Sequence, residues 1–201
     1  MKLGVEQKNK IFAIIFVFIV SIYIATMFHE IGHAITAIYY GCRFPSPSVI
    51  ITIHGFTWCN FPDNWYSSLS PSNLSIFTLS GPLFVSLTGL AFFILCRKSN
   101  YIKKHWVLAF IFYCLTFNFL LNGSLQFILS GDHSILINSG INQIYLWIIG
   151  SFLLLILSYH AIKFKELLQL AEPKLKEKTA NKLRNWFIVL FVIICVVYLF
   201  I

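Results

Sequence analysis

Charge is what this sequence has little of. Only 11% of its 201 residues are charged, and 7 of them are acidic. A typical soluble domain carries about twice that fraction, ~25%. With 58% hydrophobic residues and a mean hydropathy of +0.80, the composition excludes an ordinary soluble domain and reads as an integral membrane protein in contact with a lipid bilayer. The five cysteines include no C-x-x-C pair, which leaves no dithiol or zinc-knuckle signature. Cys96, Cys114 and Cys195 fall in or at apolar runs, where cysteine packs as a small apolar residue. Cys42 and Cys59 share one loop and are able to pair in an oxidising compartment. No Ala-x-Ala-like cleavage site follows the first apolar run, so it is read as a retained span rather than a signal peptide. There is no internal repeat, and the whole chain, 1–201, is read as a single polytopic membrane domain.

What is present is a set of long apolar runs. A helix needs about 20 residues to cross ~30 Å of hydrocarbon. Five runs approach or exceed that length, at 11–40, 74–96, 106–129, 142–162 and 186–201. The predicted fold is therefore an all-α membrane protein of about five transmembrane helices. The basic residues are sorted between its loops. Three precede the first run, four lie between the second and third, and seven lie in a basic linker at 163–185. Only Arg43 falls in a loop of the other set. By the positive-inside rule this places the N-terminus in the cytoplasm. Such sorting also explains the net charge of +8 without a nucleic-acid partner. The Ile-, Phe-, Asn- and Lys-rich composition suits the cell membrane of a prokaryote with an AT-rich genome.

Two segments between spans have a character of their own. In the first outer loop, 43–72, the stretch "SVIITIHGFTW" at 48–58 is β-branched and aromatic and is flanked by turn-forming residues. It predicts a short β-strand or hairpin. The linker at 163–185 is basic and amphipathic, and Pro173 divides it; it suits an anionic lipid surface or a docking regulator.

The first run carries the chemistry. "ATMFHEIGHAITAIYYGC" at 25–42 contains His29-Glu30-Ile31-Gly32-His33, an H-E-x-x-H pattern. On a helix, residues four apart share a face, so both imidazoles can reach one zinc ion, with Glu30 beside them as general base. The bland alternative is a set of core groups hydrogen-bonded to neighbouring spans without metal. Ionisable groups inside a membrane are costly, ~2.5–3.5 kcal/mol each on insertion scales, and three within five residues favour function.

A catalytic zinc usually has three protein ligands and one open position. Glu6, Glu166, Glu172 and Glu177 fall in cytoplasmic segments, away from the outer half of the first span. Asp63 sits in the turn-like "FPDN", where aspartate has a local role. Asp132, just after the third span, is the best third ligand, giving one Zn²⁺ per chain. His133 and His54 are further ligand or supporting candidates, or simply polar histidines. Asn118, Asn122, Gln126 and Ser130 recur every four residues on the third span. This stripe is either interhelical hydrogen-bond glue or, at Asn122, a group that orients substrate or stabilises an oxyanion. Gly81-Pro82 is either a kink that opens space or a tolerated break.

These residues together resemble a known family. "FHEIGHAITAIYYGC" is similar to the H-E-x-G-H-A helix of the site-2 protease family of zinc intramembrane proteases. "LSGPLFVSLTG" at 79–89 resembles that family's Gly-Pro-Leu segment. "SGDHSILINSGIN" at 130–142 resembles the Gly-Asp motif of a divergent branch. The match covers about residues 20–140. The chain has neither the Asn-Pro nor the Leu-Asp-Gly of the more usual third motif. The resemblance implies zinc on His29, His33 and Asp132, with Glu30 as catalytic base. It implies an endopeptidase acting on a membrane-protein or membrane-bound peptide substrate. A substrate helix must unwind to be cut, and the strand at 48–58 is suited to pair with the unwound segment. The competing readings are a metal-binding or transport protein that needs the histidines but not Glu30, an inactive scaffold, and a haem protein.

Overall fold

Apolar length sets the architecture, and helical hydrogen bonding satisfies the backbone where no water is available. The computed structural model describes residues 5–41 and 68–171 and, beyond them, only 177, 180–182, 184–185 and 188–189. In chain order the helices are α1 (Val5–Tyr39), α2 (Pro71–Lys98), α3 (Asn100–Lys104), α4 (Trp106–Ile128), α5 (Gly131–Asn138), α6 (Gln143–Ile162) and α7 (Phe164–Ala171). Four stretches are long and apolar enough to cross a membrane: Phe16–Tyr39, Pro71–Lys98, Trp106–Ile128 and Gln143–Glu166. An all-α, multi-pass architecture is thus what the described residues form. The expected strand at 48–58 and the expected fifth span at 186–201 lie outside the described residues.

Helix α4 is the centre of the bundle. Of its apolar stretch 67% is buried, against 28–33% for the other three spans. It packs against α1 and α2 on one side and α6 on the other. Phe28, Val85 and Phe119 join α1, α2 and α4, while Leu120, Leu136, Leu146 and Leu157 join α4, α5 and α6.

Small residues let these helices approach, as expected where lipid tails remove any net hydrophobic drive between spans. A side chain at Gly32 would lie 2.5 Å from the Ser80 carbonyl oxygen, so α1 and α2 touch backbone to backbone. A side chain at Gly123 would lie 2.1 Å from Ser86 Oγ, and one at Gly150 2.5 Å from Ile128 Cγ1. These contacts pair the second half of α1 with the first half of α2, and the last turns of α4 with the middle of α2 and the start of α6.

The helix ends follow local chemistry. Ser70 Oγ caps α2 by accepting from the Asn73 N–H, with Pro71 at the first helical position, where its missing donor costs nothing. Ser130 Oγ caps α5 by accepting from the His133 N–H. Gly140 closes α5 with φ 99°, the left-handed conformation that glycine adopts freely. The Gly140 N–H reaches the Ile137 carbonyl, and the Ile141 N–H reaches the Leu136 carbonyl.

Candidate metal centre

Three elements converge at one end of the bundle. Helix α1 brings His29 and His33, a turn apart on one face. Helix α2 lies against that face. The short helix α5 brings Asp132 in its first turn, where the helix dipole favours a carboxylate. His29 Nε2 lies 3.1 Å from His33 Nε2, and Asp132 Oδ2 lies 3.1 Å from the first and 3.3 Å from the second. Among the described residues these three form the one group able to hold a metal ion.

The triangle fits such an ion. Donors of a tetrahedral site stand about 1.63 bond lengths apart, so bonds of ~2.0 Å place them ~3.3 Å apart. The observed edges match that spacing. Two imidazole nitrogens and one carboxylate oxygen are also the donor set of known catalytic zinc sites.

The protonation pattern agrees. His33 Nδ1 lies 2.9 Å from the Phe77 carbonyl oxygen. A carbonyl only accepts, so Nδ1 carries the hydrogen, and in the neutral ring Nε2 is then left with a lone pair to offer a metal. This is the outer-shell contact that orients metal-binding histidines. Burial raises the pKa of the Asp132 carboxyl, but His29 and His33 beside it more than offset this and hold it at about 2. The carboxylate is therefore ionised, and among the described residues the only groups that approach its buried Oδ2 closely are the two imidazole nitrogens. Lone pairs meeting at ~3 Å repel unless a cation or a proton lies between them.

His33 has a made-to-measure seat. A side-chain carbon at Gly81 would lie 2.4 Å from His33 Nε2 and 2.7 Å from Cε1. The missing side chain of Gly81 is the space the imidazole fills. Helix α2 runs unbroken from Pro71 to Lys98 through Pro82. The Gly81-Pro82 pair thus makes room for the His33 ring within an unbroken helix. Neither the Gly81 seat nor the Phe77 carbonyl was legible as part of the site. The glycine was visible in sequence but not its partner, and a backbone acceptor leaves no sequence signal.

The other candidates separate. Glu30 is buried beside the histidines, 6% exposed. His133 donates from Nδ1 to the Phe127 carbonyl at 2.8 Å and so ties α5 to the end of α4. It is an anchor, and the group of three potential ligands does not include it. His54 and Asp63 lie outside the described residues.

The polar stripe on α4 divides. Asn118 donates to Ser21 Oγ at 2.5 Å and to the Cys114 carbonyl at 3.1 Å, which is glue between α1 and α4. Replacing Asn118 with alanine is expected to lower stability by ~0.6 kcal/mol, the average measured for interhelical hydrogen bonds in a membrane protein, and by no more than ~1.7 kcal/mol, the largest such value. Unfolding in mixed detergent would measure it; no change would mean that packing alone holds this contact. Ser130 is the α5 cap. Asn122 is half-buried, and its Oδ1 has no hydrogen-bond partner. It sits beside Gly123, which packs on Ser86, about 7.5 Å along α2 from Gly81 at ~1.5 Å per residue.

No known protein family, curated protein or solved structure matches the chain.

Proposed function

We propose that the protein is a zinc-dependent intramembrane endopeptidase of the site-2 protease type. The observation that carries this reading is the convergence of an H-E-x-x-H helix and a carboxylate from a separate helix, with edges of 3.1–3.3 Å. His29, His33 and Asp132 would hold the ion. When bound, zinc supplies the Lewis acidity that peptide hydrolysis needs. The chain's own residues do the rest. Glu30 accepts a proton from the attacking water and delivers it to the leaving amine nitrogen. The Phe77 carbonyl and the Gly81 seat keep the His33 ring in its working orientation. Asn122, whose carbonyl oxygen is unpartnered, accepts a backbone N–H of an unwound substrate, while its amide N–H faces developing negative charge. The substrate is a membrane-spanning or membrane-bound polypeptide.

Metal content of the purified protein tests the reading directly. About one zinc per chain is expected in the wild type, and loss of most of it in both His33→Ala and Asp132→Ala. A metal-free wild type, prepared without chelator, would defeat the enzyme reading. Zinc retained by Asp132→Ala would move the third ligand elsewhere.

A further inference from the structure

The bundle is chemically polarised along its axis. At one end, Arg97 and Lys98 close α2, Lys103 and Lys104 lie on α3, and Lys163 and Lys165 follow α6. Helix α1 starts at this end too, with Lys8 and Lys10 in its first turns. The other end holds the last turns of α1, the start of α2, all of α5 and the start of α6. Among the described residues, that end carries no lysine or arginine. The candidate metal centre lies there. His33 and His29 are about 9 and 15 Å from the end of α1 at ~1.5 Å per residue.

Its least covered side can be identified. The Asp132 side chain is 17% exposed, against 6% for His29 and 9% for His33. Helix α5 packs on α2 and α4 but has no comparable packing on α1. Next to Asp132, a side chain at Gly131 would meet nothing within 4 Å among the described residues. Among the described residues, the gap that leads to the three ligands is thus between α5 and the second half of α1.

Lysine and arginine near span ends are retained on the cytoplasmic side. From these observations we infer that the site opens to the non-cytoplasmic side of the membrane. Its substrate is then a membrane-anchored polypeptide with its scissile bond in the outer half of the bilayer. Cleavage there releases a fragment outward, away from the cytoplasm. This inference rests on the endopeptidase reading for what is cut, but the side on which the site opens is tested separately from it.

The test uses two reporters in a chain whose five native cysteines are replaced by alanine. Ser134→Cys places a thiol on the exposed side of α5, and Asn100→Cys places one at the basic end. Spheroplasts are treated with a membrane-impermeant maleimide before and after lysis. Labelling of Ser134→Cys in intact spheroplasts, with Asn100→Cys labelled only after lysis, is the expected result. The reverse pattern, or the same behaviour at both positions, would overturn the inference. If the cysteine-free chain does not accumulate, an epitope tag inserted after Gly41 of the unaltered chain reports the same side. Antibody binding to intact spheroplasts is expected, and binding only after lysis overturns the inference. Zinc content and Glu30-dependent cleavage are measured on the same membranes. Outward labelling without zinc or cleavage would defeat the endopeptidase reading and leave the sidedness standing. Zinc and cleavage with inward labelling would defeat the sidedness alone.

Discussion

Glu30→Gln is expected to keep about one zinc per chain and to lose cleavage by ~10²–10⁴-fold, the usual contribution of a positioned general base. The substitution preserves shape and hydrogen-bonding capacity, so the buried helix face should pack as before. It removes only the ability to take a proton at neutral pH. Glu30 is buried on the same turn as His29, beside two of the three candidate metal ligands. The experiment also separates the competing readings. A binding or transport protein depends on the histidines and survives this change, whereas a hydrolase does not. Full cleavage by Glu30→Gln would show that Glu30 is not the base, and full metal transport would show that the protein is a carrier.

Gly81→Ala is expected to strip the metal although no ligand is altered. Alanine is the better helix former by ~1 kcal/mol, so α2 itself should tolerate the change or gain from it. The added carbon, however, would lie 2.4 Å from His33 Nε2. Ordinary contact requires ~3.4 Å or more, so the imidazole must move by about 1 Å. Sites of this kind hold their geometry to within ~0.5 Å. Zinc affinity should fall by ~10²-fold or more while helical content stays constant. Circular dichroism with competitive chelator titration reads both quantities. An unchanged affinity would mean that α1 and α2 separate easily, and the proposed seat for His33 would be wrong.

Residue type and rarity carried the legible part of this protein. Histidines 29 and 33 share a face because they are four apart, and that follows from helical geometry alone. Asp132 stood out because acidic residues are so few that elimination could work. The four described spans were visible because hydrocarbon thickness fixes helix length. Interhelical register was not legible. Asn118 and Asn122 look alike along α4, yet one meets Ser21 and the other leaves its Oδ1 without a hydrogen-bond partner, since the difference depends on which helix faces each turn. His133 is, by sequence, a further ligand or supporting candidate, or simply a polar histidine, because it adjoins Asp132. On a helix, adjacent residues diverge by ~100°, and it points to the end of α4 instead.

The placement of Asp132 on a short, separately capped helix has one more consequence. The histidines belong to a 35-residue helix, but the carboxylate is delivered by eight residues held through a few bonds, among them Ser75 to Ser139 and His133 to Phe127. An ion bound to all three would act as a cross-link between positions about a hundred residues apart in the chain. Cys96 and Cys114 are free thiols, and the described residues contain no disulfide to do this work. With such an ion bound, binding energy at the site would also be folding energy for α5, and metal scarcity would loosen that end of the bundle together with the site.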